Sequence, residues 1–298
     1  MQRRALCLLM NPGARSGRVV SRVRRLLSPW PRLRERVEEA IVRTDADVAS
    51  AVRVMADDAV PVAVGGDGTV NMVVRGLRTA GLEGRRIGVL PLGTGNAFAH
   101  SVGLTSPRRA LLALAGGRTL AVDVMTTTHR RAALALVSIS SGFEAALIAD
   151  IARRRRLGPL VAAAAGMARS IGGRWRGLVM TIDGAAATDG NETYYNAGLY
   201  NHRCYAMGRV VHPTADPCDG RGEAVVWRSA RRYWAALARG VEAGKEAAAG
   251  TDGDPVTRRW ARATIESEGD IQVDGEACGP AGSFEVRIET RALRVLVP

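Results

Sequence analysis

Pro61-Val62-Ala63-Val64-Gly65-Gly66-Asp67-Gly68-Thr69 decides the reading of this chain. An apolar run ends on glycines around one acid, and Val70 to Leu77 continues as a helix-compatible stretch. A strand that turns on glycines and opens a helix brings bare backbone N–H groups up to a phosphate. Glycine suits that turn because it tolerates positive φ and has no Cβ to keep phosphate oxygens away from the amides. Asp67 adds a carboxylate, which makes sense if it reaches a divalent cation or a reacting hydroxyl. Taken alone, the same residues read equally well as a tight strand-to-helix turn whose Asp caps the helix.

Two further glycine loops weigh on the choice. Upstream, Ala5 to Met10 reads as a short buried strand and runs into Asn11-Pro12-Gly13-Ala14-Arg15-Ser16-Gly17; downstream, Ile87-Gly88-Val89-Leu90 runs into Pro91-Leu92-Gly93-Thr94-Gly95-Asn96. Each loop follows a strand and precedes a helical segment. In an open parallel sheet, loops at the carboxyl ends of the strands converge on one crevice, where ligands bind. Arg15, Arg18 and Thr94 would add charge and a hydroxyl at that edge. Neither common nucleotide fingerprint is present: the chain's single lysine, Lys245, is followed by Glu246, and no G-x-G-x-x-G opens a helix after a first strand. Phosphate binding would therefore rest on backbone amides, Thr, Asn and Arg.

The alternation of strands with helices over Arg18 to Leu27, Asp45 to Ala56, Thr69 to Ala80 and Pro107 to Ala115 predicts a parallel sheet covered by helices. After Arg118 the texture turns strand-like: Leu120 to Thr126, Ala132 to Ser140, Leu178 to Ile182, Glu192 to Tyr200, Glu223 to Arg228, Thr257 to Glu266 and Ser283 to Glu289. Asp-Gly pairs at Asp183, Asp189, Asp219 and Asp274 punctuate these runs. The expected division is 1–118 for an α/β domain and 119–298 for a β-rich domain, with the last strand free to return to the first; Glu242 to Asp254 is expected to be a loop.

Asn11-Pro12 with its glycines, then Gly65-Gly66-Asp67-Gly68-Thr69 with Asn71, then Leu92-Gly93-Thr94-Gly95-Asn96, and finally Val273-Asp274-Gly275-Glu276 occur in the order of the diacylglycerol kinase catalytic domain. The chain resembles that family, which includes bacterial diacylglycerol-kinase-like lipid kinases, sphingosine kinases and ceramide kinase. The resemblance spans nearly the whole chain. It implies an α/β nucleotide-binding domain with a parallel sheet, of NAD kinase/diacylglycerol kinase type, followed by a β-rich sandwich-like domain, with ATP and Mg2+ bound between them. The nucleotide residues it implies are Asn11, Pro12, Gly13, Ser16, Gly17, Thr44, Gly65, Gly66, Asp67, Gly68, Thr69, Asn71, Gly93, Thr94, Gly95 and Asn96. As general base it puts Glu276 first, Asp67 second by similarity to sphingosine kinases, and Asp274 third, or as a shaper of its turn. By the same resemblance a structural magnesium would sit on the carboxylate of Asp219 and the carbonyls of Asp216 and Arg221; an ordinary Asp-Gly turn is the alternative. Ala97 follows Asn96 where diacylglycerol-type members commonly have Asp, so the acceptor stays open among diacylglycerol, a sphingoid base and another lipid alcohol.

Bulk properties bound the setting. The 298 residues carry a formal charge of +13, almost all of it from arginine. Cys7, Cys204, Cys218 and Cys278 show no paired spacing, so neither a disulfide framework nor a zinc site is expected. The opening apolar stretch is too short for a signal peptide, and no run of about 18 apolar residues spans a bilayer. Arg153-Arg154-Arg155-Arg156 precedes Leu157, Pro159, Leu160 and Val161. It reads as a solvated helix end or as a contact with an anionic membrane surface. The expected location is cytoplasmic, peripheral at the inner face of the membrane, with a homodimer allowed. Nucleic acid is not an expected partner, since the few aromatics are not interleaved with the arginines. An ATP-dependent lipid kinase leads. An NAD-kinase-like enzyme on a soluble substrate and a catalytically silent nucleotide- or membrane-binding protein are the alternatives.

Overall fold

The computed structural model describes residues 5–12, 19–154, 156, 158–205, 209–210, 212, 214–239 and 255–298. Gly13, Arg15, Ser16, Gly17, Arg18, Arg155 and the expected loop Glu242 to Asp254 lie outside them. The chain divides into two compact units, one of Met1–Val122 with Arg291–Pro298, the other of Asp123–Tyr205 with Arg209–Thr290.

The first unit alternates β1 (Leu6–Met10), α1 (Val19–Leu27), α2 (Pro31–Arg34), β2 (Val37–Ile41), α3 (Asp45–Val54), β3 (Val60–Gly65), α4 (Asp67–Thr79), β4 (Arg86–Pro91), α5 (Ala97–Ser101) and α6 (Pro107–Gly116). Helix starts follow local chemistry. Thr44 caps α3 by accepting from the Asp47 N–H, and Asp47 reaches back to the Thr44 N–H at 3.0 Å, a complete capping box. Ser106 caps α6 ahead of Pro107. The strands pair in the order β2-β1-β3-β4, all parallel. The chain's last strand adds to β4 in parallel through Arg294 and Val295. Strands β1 and β3 are buried at every position, as a sheet covered on both faces requires.

The second unit runs β5 (Arg118–Thr127), β6 (Leu134–Ala135), β7 (Ser138–Gly142), α7 (Phe143–Arg153), α8 (Pro159–Ser170), β8 (Val179–Ile182), β9 (Ala185–Asp189), β10 (Asn196–Tyr200), β11 (Cys204–Tyr205), β12 (Arg209–Val210), β13 (Gly222–Trp227), α9 (Ala230–Arg239), β14 (Val256–Trp260), β15 (Arg262–Val273) and β16 (Glu276–Val297). It is β-rich, with antiparallel order β14-β13-β10-β7-β15-β16. Register shifts after Ser267 and Ile271 bend β15, so its first half pairs with β8 and its end with β7. One apolar core, including Ile139, Met180, Leu199, Trp260, Ile265 and Phe284, lies under this sheet. Strand β16 passes into the first unit at Arg291, which takes a φ of 53°.

Candidate active site

Register places the glycine loops. Met10 pairs with both Ile41 and Val64, and Gly65 pairs with Pro91, so the carboxyl ends of β1, β2, β3 and β4 stand level at one edge of the first unit's sheet. Asn11 and Pro12, Thr44, Gly65 to Thr69 and Gly93 to Asn96 all follow those ends.

The β3 and β4 loops are fitted backbone to backbone. A Cβ on Gly93 would stand 2.4 Å from the Gly66 Cα and 2.8 Å from the Gly66 N, inside any real contact. A Cβ on Gly65 would meet the Thr69 Oγ1 at 2.3 Å, because the buried Thr69 side chain folds over that glycine. Gly66 is the N-cap of α4 and offers no side-chain cap, so the first amides of a 13-residue helix lack the usual side-chain acceptor. The positive end of that helix is suited to an anion.

Asp67 behaves differently from a free acid. Its Oδ2 accepts the Ala97 N–H at 3.0 Å and its Oδ1 accepts the Phe98 N–H at 2.9 Å, so it caps α5 from thirty residues away. Burial raises its pKa, opposed by those two amide bonds. Asn96, in the left-handed region at φ 52°, closes its own turn by accepting from the Gly93 N–H and donating to the Gly93 carbonyl, each at 3.0 Å. Asn71 is buried and accepts from Arg75 Nη1 at 2.8 Å, while Arg75 ion-pairs with Asp45 beside Thr44. These polar links tie the β2, β3 and β4 loops into one rigid edge. Thr94 is exposed.

Asp274 and Glu276 belong to the second unit. Asp274 and Gly275, at φ 49° and 84°, form the two-residue turn between β15 and β16. The Asp274 carboxylate accepts from the backbone of Leu136, Val137 and Ser138 at 2.7 to 3.0 Å, so it anchors the turn. Glu276 opens β16 with an exposed side chain.

At the expected metal loop, Asp216 accepts from the Cys218 N–H and Asp219 from the Arg221 N–H, and the other Asp219 oxygen pairs with Arg259. Buried Asp123, which the sequence reading did not single out, accepts from the Gly220 N–H at 2.7 Å and holds the same loop. Among the described residues no group of three or more His, Cys, Asp or Glu could hold a metal ion. The Asp219 carboxylate is thus engaged by the Arg221 N–H and by Arg259, and no chemical step is assigned to an ion held there.

One further buried acid was missed. Glu144, in the first turn of α7, accepts from Ser140 Oγ at 2.5 Å, Tyr233 OH at 2.9 Å and Tyr200 OH at 3.2 Å. Burial raises its pKa against those donors. His202 and His212 are both buried, and burial pushes the pKa of each down to about 3.

The model of the diacylglycerol kinase catalytic domain matches residues 5–127, which include the described loops at the sheet edge. The matched stretch runs from the start of β1 to the end of β5. No curated protein matches the sequence. Among solved structures, a diacylglycerol kinase from Bacillus anthracis str. Sterne superposes with a TM-score of 0.71 at 15% identity, covering 100% of this chain and 98% of its own. A second from the same organism, provisionally assigned as a diacylglycerol kinase, gives 0.73 at 16%, covering 100% and 97%. The superpositions show that the fold is shared. Among the described residues no helix is long and apolar enough to cross a membrane.

Proposed function

We propose that the protein is an ATP-dependent lipid kinase that transfers the γ-phosphate to the primary hydroxyl of diacylglycerol or a related lipid alcohol at a membrane surface. The observation that carries this reading is the level edge where the Gly66 and Gly93 backbones touch and the N-terminus of α4 has no side-chain cap. Such an edge suits a triphosphate, with magnesium arriving on the nucleotide and sharing its phosphate charge. Asp67, by capping α5, keeps the two glycine loops together; it serves the cradle rather than the proton.

A primary alcohol is too weak an acid to attack unaided, and Glu276 supplies the base. It accepts the hydroxyl proton as the oxygen–phosphorus bond forms and the bond to ADP breaks, an effect worth roughly 10²- to 10⁴-fold. Exposure leaves the Glu276 carboxylate open to a substrate, while Asp274 spends both oxygens on amides. Membrane contact falls to Arg153, Arg154 and Arg156 at the end of α7, with exposed Val161 on the following α8. Each arginine near an anionic surface contributes on the order of 1 kcal/mol, so binding would be loose and salt-sensitive.

The test is a labelled-ATP assay over a lipid panel, with and without anionic vesicles. Label in the organic phase, increased by vesicles, is expected. Label in a water-soluble product, or no transfer, overturns the reading.

A further inference from the structure

The turn that carries Glu276 is tied to the buried acid on α7 by an unbroken line of hydrogen bonds. Glu144 Oε2 accepts the single hydroxyl proton of Ser140. Ser140 is then left with lone pairs alone, and these accept from Gln272 Nε2 at 2.7 Å. The same amide nitrogen also donates to Ser138 Oγ at 3.2 Å. With its NH2 fixed on that side, Gln272 must present Oε1 on the other, where it accepts the Gly275 N–H at 2.8 Å. Glu144, Ser140 and Gln272 are all buried, so water does not compete with this polarity. A register shift sits between Ile271 and Gln272, the place where a bulge re-aims the residues that follow it.

We propose that Glu144, acting through Ser140 and Gln272, is a positioning residue that aims Glu276. The donor sense of the line is set at Glu144. Without an acceptor there, Ser140 can turn its proton to Gln272, whose amide then flips and faces the Gly275 N–H with its own NH2. Two donors repel, and the turn shifts. Tyr200 and Tyr233 hold the Glu144 carboxylate from the opposite side, so it does not follow Ser140.

The inference rests on Glu276 being the proton acceptor, and the test separates the two. Ser140→Ala and Gln272→Met are each made in the natural chain and in Glu276→Gln, and assayed with MgATP and diacylglycerol in mixed micelles. In the natural background kcat is expected to fall about 10- to 100-fold, as for a group displaced by roughly 1 Å, with KM for MgATP unchanged. In the Glu276→Gln background the same substitutions are expected to cost nothing further. An equal fall in both backgrounds, or no fall in either, overturns the positioning role. Full turnover by Glu276→Gln alone overturns the assignment of the base, and the positioning role with it, before any partner variant is made. Should Ser140→Ala fail to fold, Gln272→Met leaves the partners of Glu144 in place and decides by the same comparison.

Discussion

Gly93→Ala is the sharpest perturbation of the cradle. The added Cβ would lie 2.4 Å from the Gly66 Cα, 2.8 Å from the Gly66 N and 2.9 Å from Asn96 Oδ1. Carbon atoms rest at about 3.5 Å or more, so the β3 and β4 loops must part by about 1 Å. Two of the three obstacles are backbone, and neither can rotate away. Overpacking of this kind costs about 1–3 kcal/mol of stability. The larger effect is on chemistry: amides moved by about 1 Å no longer meet the phosphates, and a loss near 10²-fold in kcat/KM for MgATP is expected. Gly84→Ala is the control, since its Cβ would meet nothing within 4 Å. Steady-state kinetics over MgATP, with denaturant melts of both variants, read the two effects. A Gly93→Ala enzyme with wild-type kcat/KM would refute the packing argument.

Asp67→Asn keeps the shape but turns an NH2 toward one of the two α5 amides; a loss of about 2 kcal/mol is expected in denaturant melts, and unchanged stability would show that the cap is idle. Thr44→Ala should cost about 1 kcal/mol through the α3 capping box, with Thr44→Ser restoring it, again read by denaturant melts. Glu144 gives the pH dependence. Its folded pKa is raised above the usual 4.5, so its stabilising contribution is complete below that value and is lost as pH rises through the raised one. The stability of the natural chain relative to Glu144→Gln should therefore decline as pH climbs past 4.5, and a difference that grows with pH would reverse the sign.

The first unit was legible because its signals are local. Short buried runs end on glycine, and helices open on Thr44 and Ser106, so elements fall within a residue or two of expectation. The second unit hid more. Helix α7 opens on Gly142 at φ 94° without a capping side chain, and its Phe-Glu-Ala-Ala start carries no stop or start mark. Strand β16 runs through Gly279, Pro280 and Gly282, and only Ser283 to Glu289 reads as strand from sequence. In the site, positions were readable but partnerships were not. Nothing near Asp67 announces Ala97 and Phe98 as its partners, and Glu144 collects Tyr200 and Tyr233 from 56 and 89 residues away. Sequence spacing does not encode such long-range meetings, and the roles of Asp67 and Glu144 emerged only with the fold.

The most direct measurement is a crystal structure of the protein with magnesium and a non-hydrolysable ATP analogue. The β- and γ-phosphates are expected within hydrogen-bond distance of the backbone amides from Gly66 to Gly68, beside Gly93. A nucleotide bound away from the carboxyl ends of β1, β3 and β4, or one whose phosphates touch none of those amides, would contradict the account.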